Sequence, residues 1–231
     1  MPNAVGSFET KHWHKKWIKI KKKIVLTETQ KSLIIGSLLG DGTMRIGRGA
    51  KNANFKVEYG LEQRKYVEWK YGILRPLVFS PPRISYRYNN KRRKYPKSWW
   101  FRTIRHPLLT ELYYRFYKGN KRETKGKKVP KDIQKDLNPL AMAVWIMDDG
   151  SYSRGKINIS TYSFSLSDIH LLQKALKKKF NLCARYYKDR DKGVRMYFNQ
   201  KETNKLISLV KPYIIPSMRY KIGLVSEPRR D

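Results

Sequence analysis

The chain has 231 residues, 40% of them hydrophobic, which excludes a disordered chain and suffices for one large or two small packed domains. Lys and Arg number 52 against 18 Asp and Glu, a formal net charge of +34. A compact body so charged repels itself, so a polyanionic partner is expected. Aromatic residues make up 13% and interleave with Lys and Arg, a mixture that favours nucleic acid over an anionic membrane surface. The one cysteine, Cys183, excludes an intramolecular disulfide and a cysteine-based zinc site, and reads as a small buried residue. No apolar run reaches the roughly 18–20 residues that span a bilayer, and the basic start lacks an apolar leader. An intracellular chain, of an organelle or a prokaryotic cytoplasm, and no membrane contact are expected.

Residues 1–26 read as a basic N-terminal arm. His12 and His14 lie two apart with no third ligand in view, so solvated charge or phosphate contact is the expectation there rather than a metal. Thr27 and Gln30 form a capping-box pattern that opens a helix through SLIIGSLLGDG, residues 32–42. That helix is apolar on every side. Gly36 and Gly40 share one stripe, where another backbone is expected to approach closely. It stops at Asp41-Gly42, with an acid where a buried helix should least accept one. A short strand is expected over residues 44–48 and an alternating strand over 54–59. A helix over 62–74, with Tyr66, Trp69 and Ile73 inward, ends at Pro76. Strands over 84–88 and 98–105 flank a basic turn, and a helix follows over 107–117.

Residues 119–137 read as a linker, charged and glycine-bearing at its start. Asn138-Pro139 then caps a second apolar helix, LAMAVWIMDDG, residues 140–150. A strand over 156–162, an amphipathic helix over 166–180 with Ile169, Leu172, Leu176 and Phe180 inward, strands over 184–188 and 194–199, and a helix over 202–210 complete the chain. The order repeats that of the first half. Units over 27–118 and 138–231, related by a pseudo-twofold axis, are therefore expected.

The pair IIGSLLGDG (residues 34–42) and MAVWIMDDG (142–150), with the tail IPSMRYK (215–221), resembles the single-chain LAGLIDADG homing endonucleases of the intron-encoded type. The resemblance covers residues 27–221. It implies an α+β fold of two αββαββα units, with the motif helices at the domain interface and antiparallel sheets forming a DNA-binding saddle. It also implies a monomer that cuts both strands of a long double-stranded DNA target with Mg²⁺, or with Mn²⁺ in its place. Asp41 and Asp149 would each serve one scissile phosphate. An anion at a helix C-terminus faces the negative end of the macrodipole, so a hard divalent cation relieves both carboxylates. Gly40 and Asp148, directly before these aspartates, fall within the implied metal group. Asp148 is turned about 100° from Asp149 on the helix and reads as structural. Lys127 and Lys221 are the basic residues implied near the metals, and Glu58 reads first as a strand salt bridge and second as part of the pocket.

One departure from symmetry stands out. Val144 and Trp145 replace Gly36 and Ser37, so the two helices are not expected to pack with equal contacts. Expected DNA contacts are Arg83, Arg87, Arg102 and Arg105 in the first unit. In the second they are Arg185, Lys188, Arg195 and Asn199. An RNA maturase of the same fold, assisting the splicing of its host intron RNA, is the alternative. A basic DNA-packaging protein would not need paired Asp-Gly helices.

Overall fold

The computed structural model describes residues 24–119 and 124–224. The arm up to residue 23, with His12 and His14, lies outside the described residues. Each half follows the order α-β-β-α-β-β-α. The first comprises α1 (Glu28–Leu39), β1 (Thr43–Arg45), β2 (Asn54–Gly60), α2 (Arg64–Leu74), β3 (Arg83–Tyr88), β4 (Lys94–Arg102) and α3 (Pro107–Phe116). After a connection, the second comprises α4 (Pro139–Asp149), β7 (Gly150–Ser153), β8 (Lys156–Ser160), α5 (Leu166–Phe180), β9 (Arg185–Lys188), β10 (Val194–Phe198) and α6 (Gln200–Val210). The two sheets are antiparallel with the same strand order, β1-β2-β4-β3 and β7-β8-β10-β9. Among the described residues no helix is long and apolar enough to cross a membrane.

The motif helices form where the sequence places their caps. Thr27 Oγ1 accepts from Gln30 N at 3.2 Å, and Gln30 Oε1 accepts from Thr27 N at 3.1 Å. Asn138 Oδ1 accepts from Ala141 N at 2.9 Å. Residues apolar all round need burial on every side, and α1 and α4 find it in one another. A Cβ added to Gly36 would strike the carbonyl of Ala141 and lie 2.8 Å from Val144 Cβ. Glycine on α1 thus accommodates valine on α4, and close approach survives the loss of symmetry. The next pair differs more. Ser37 turns a hydroxyl toward the polar side chain of Lys70, whereas Trp145 fills its own half with a fully buried indole.

Each sheet buries one face. In β2, Phe55, Val57 and Tyr59 point into the core while Asn54, Lys56 and Glu58 point away. In β8, Ile157 and Ile159 do the same against Asn158 and Ser160. This is the period-2 pattern of a one-sided sheet.

Several expectations require correction. Strand β4 runs over Lys94–Arg102 rather than 98–105. It starts early because Asn89 Oδ1 accepts from Lys91 N and Arg93 N and tightens the hairpin. It stops early because Ile104 N turns away to Leu77 O and His106 caps α3. In α2 the buried stripe is Tyr66, Val67, Lys70 and Leu74, with Trp69 and Ile73 half-buried beside it. The segment read as a linker is largely docked. Its described residues include β6 (Thr124–Lys127), paired with β5 (Tyr117–Gly119), and the buried Val129, Ile133 and Leu137. Charge holds it down: Asp136 pairs with Lys31 at 3.0 Å and with Arg115, which also reaches Asp132 at 2.9 Å.

The packing of α1 on α4 predicts opposite outcomes for two glycines. Gly36→Ala places a methyl against backbone and is expected to destabilise the fold by about 1–3 kcal/mol. Gly72, exposed in α2 with open space where a Cβ would sit, should gain about 0.5–1 kcal/mol as alanine. Urea unfolding of the two variants measures both.

Candidate active site at the helix seam

The two apolar helices run out at the same end of the interface. Asp149 is the last residue of α4, half-buried. Asp41 lies just beyond the C-cap Gly40 of α1, with its side chain open to solvent. Between them stands Asp148, whose side chain is fully buried. It fits because Gly40 has no side chain: a Cβ there would overlap the Asp148 carboxylate.

The carboxylate of Asp148 is fully engaged. Oδ1 accepts from Tyr66 OH at 2.6 Å and from Lys70 Nζ at 2.9 Å, and Oδ2 accepts from Asp41 N at 3.2 Å. Lys70 is as buried as its partner, and its other two donors go to Ser37 Oγ at 2.8 Å and Tyr59 OH at 2.7 Å. Burial pushes the Lys70 amine down from its ordinary value, and the Asp148 carboxylate holds it up against this. Burial pushes the hydroxyls of Tyr59 and Tyr66 up, and the Asp148 charge adds to it. A buried carboxylate with such partners is held by the protein, so of the implied metal group Asp148 is the residue whose oxygens are already committed.

Asp41 and Asp149 behave otherwise. Surrounding protein pushes the Asp41 carboxyl up, and the Asp148 charge adds to it, against the pull of Lys70, Lys127 and Lys221. Burial, then the charges of Asp41 and Asp148, raise Asp149 from 3.8 to about 8, again against Lys127 and Lys221. The charge of Asp41 thus opposes ionisation of Asp149, while Asp41 itself is opposed by Asp148.

The two lysines occupy matching places. Lys127, from β6, donates to the carbonyl of Gly40, the residue before Asp41. Lys221, from the 3₁₀ helix Pro216–Ile222, donates to the carbonyl of Asp148, the residue before Asp149, at 3.4 Å. Burial pushes the Lys127 amine down, and Asp148, Asp149 and Asp41 oppose this. The Gly40 carbonyl, placed in the metal group by its position, thus already carries an ammonium. Among the described residues no three His, Cys, Asp or Glu side chains come together as a ready metal cage.

Above this floor lies an open cavity of about 830 Å³. Gly40, Asp41, Lys127 and Asp149 line it at the seam, Arg45, Lys56 and Glu58 from the first sheet, Ser160 from the second, and Tyr162 from the turn after β8. Glu58 is held by Lys56 and by Ser98 Oγ at 2.5 Å, which is the salt-bridge reading of that residue.

Strand pairing decides which basic residues share the open faces. Lys56 pairs Arg102, and Glu58 and Arg83 both pair Trp100, so these line one face together with Arg87 farther along β3. Arg83 lies over the Trp100 ring at 4.4 Å. In the second sheet Arg195 pairs Ser160 and Tyr197 pairs Arg185, which puts both arginines on the open face. Arg195 is tied to Ser151 Oγ at 2.8 Å. Three expected contacts fall elsewhere. Lys188 pairs Val194 and takes the other face. Asn199 caps α6, its Oδ1 accepting from Glu202 N at 2.9 Å. Arg105 lies beyond the end of β4, packed over Gly47.

Lys70 and Tyr66 reach the seam and bind Asp148, a contact that the sequence reading missed. A lysine in register with Tyr66 and Leu74 was the signal, since i, i+4 and i+8 share a helix face.

Asp149 also makes a pH prediction. A carboxyl raised in the fold keeps a proton that the unfolded chain has lost, so stability falls as pH rises through the window from 3.8 to about 8. Asp149→Asn removes this loss. Its melting temperature should exceed that of the native protein above the window and match it below, in thermal unfolding without added metal.

The comparisons with known proteins agree with this geometry. The LAGLIDADG DNA endonuclease family model matches residues 31–206. The chain is 32% identical over 209 residues to the DNA endonuclease I-ChuI of Chlamydomonas applanata, covering 86% of this chain and 96% of that protein. It is 30% identical over 198 residues to the cytochrome b mRNA maturase bI2 of Debaryomyces hansenii, covering 83% and 72%. The solved structure of the homing endonuclease I-WcaI bound to its DNA recognition sequence superposes with a TM-score of 0.77 at 25% identity, covering 96% and 95% of the two chains. The doubled motif helix, the doubled sheet and these matches together identify the chain as a member of the LAGLIDADG DNA endonuclease family.

Proposed function

We propose that this chain is a monomeric, site-specific endonuclease that hydrolyses both strands of a long double-stranded DNA target with Mg²⁺, or Mn²⁺ in its place. The observation that carries the reading is the pair Asp41 and Asp149, one from each half, raised in pKa in a shared cavity whose walls are basic strands. Two carboxylates that resist ionising side by side suit hard divalent cations, whose remaining ligands are water and phosphate oxygens. Asp41 and Asp149 would hold the metal. When bound, it supplies an activated water and stabilises the leaving oxygen.

The chain's own residues do the rest. Lys127 and Lys221 stand at matching carbonyls and bring positive charge to where the phosphorane gathers negative charge. Asp148 keeps its buried carboxylate on Lys70 and Tyr66 and ligates nothing. Arg83, Arg87, Arg102, Arg185 and Arg195 draw the duplex onto the open faces, mostly through phosphates. A maturase reading is favoured by the similarity to the bI2 maturase, and both activities can share one fold. Asp41→Asn separates them, since splicing of the host intron RNA should survive where DNA cutting does not.

A plasmid carrying the joined sequence flanking the host intron should be linearised with Mg²⁺ and left intact with EDTA. Either Asp41→Asn or Asp149→Asn should abolish double-strand cutting while gel-shift binding persists. Full cutting by the double variant would sink the mechanism. Binding should also weaken steeply with salt. Each of Arg83→Ala, Arg87→Ala and Arg185→Ala should lower the slope of log K against log salt by about 1, and Lys188→Ala should change it least.

A further inference from the structure

We propose that Lys70 and Asp148 form a positioning pair that reaches across the seam to hold Asp41, and that this makes the two strand-cutting sites unequal. The inference rests on the endonuclease reading above. It begins with how each aspartate's backbone is held. Asp149 lies within α4. Asp41 lies outside α1: Gly40 N reaches Gly36 O and Ser37 O, and Gly42 N reaches Ser37 O at 2.7 Å. Asp41 N goes instead to the Asp148 carboxylate of the other half, at 3.2 Å.

That carboxylate is fixed in turn by the first half. Lys70 and Tyr66 come from α2, and Tyr59 and Ser37 complete the shell of Lys70. All three ammonium donors have partners, so the lysine cannot swing without losing a buried bond. The clamp has no mirror image. The position matching Asp148 in the first motif is Gly40, which has no side chain with which to grip Asp149. The position matching Ser37 is Trp145, whose buried indole N–H donates to nothing among the described residues and offers no acceptor for an ammonium. Among the described residues the device is therefore built once, at Asp41.

Lost positioning should slow one strand. With Asp148→Ala, the strand whose cutting is lost in Asp41→Asn should slow by about 10–100-fold relative to the other strand. Nicked circle would then accumulate from a supercoiled plasmid carrying the target. If that variant does not fold, Lys70→Met with Asp148→Leu removes both charges in apolar form, a replacement buried ion pairs tolerate. A purely structural role would slow both strands alike, and an unchanged strand ratio overturns the proposal. Amide hydrogen exchange supplies a readout without cutting. In either variant the Asp41 amide should exchange at least about tenfold faster while that of Asp149 keeps its native rate; equal protection of Asp41 in variant and native protein also overturns it. A native protein that leaves the plasmid supercoiled refutes the endonuclease reading, and the exchange measurement still decides the clamp.

Discussion

Two greasy helices pressed together at glycine bring Asp41, Asp148 and Asp149 to one end of the seam, and the rest of the molecule answers that constraint. The apolar faces of α1 and α4 have nowhere else to be buried, and Gly36 and Gly40 let the backbones close. Closing brings Asp41 beside the acidic end of α4. Repulsion and desolvation then act on groups that the hydrophobic effect has already placed. One carboxylate, Asp148, is neutralised from inside by Lys70. The other two are left facing the cavity, opposed only in part by Lys127 and Lys221.

Pseudo-symmetry organises the molecule without equalising it. Lys127 and Lys221 touch equivalent carbonyls, and the two sheets share one strand order. The departures cluster at the seam, where each position packs against its own counterpart. Valine opposite glycine keeps the spacing. Serine in place of tryptophan leaves room for a buried ammonium. A buried ion pair contributes little net stability, since desolvation offsets most of its Coulomb gain. Its value here lies in fixing a direction for Asp148.

The positive charge of the chain has a matching logic. Cross-strand pairing gathers Lys56, Arg83, Arg87 and Arg102 on one face, and Arg185 with Arg195 on the other unit's. Trp100 lies among them with cations over its ring. Charge so arranged is costly alone and favourable on a polyanion, which ties the composition of the chain to its partner.

Local signals carried much of this. Caps at Thr27 and Asn138, all-round apolarity of two runs, Asp-Gly at both ends and period-2 strands are written in neighbouring residues, because hydrogen bonds within a turn and burial of one face act over a few positions. They made the doubled αββαββα order and the two Asp-Gly helix ends legible, while Lys127 and Lys221 came from the family resemblance. What lay beyond them depends on partners far along the chain. Asp148 and Asp149 are adjacent and chemically identical; the helix turn already set Asp148 apart, but its partner Lys70, 78 residues away, is visible only in the fold. The place of Arg105 turned on where β4 stops, set by Leu77, and that of Lys188 on strand register, whereas the capping of Glu202 N by Asn199 was a local signal left unread. Residue type and spacing determined which groups could do the chemistry; tertiary packing decided which of them it left exposed to do it, because burial and pairing are properties of the folded neighbourhood and not of the residue.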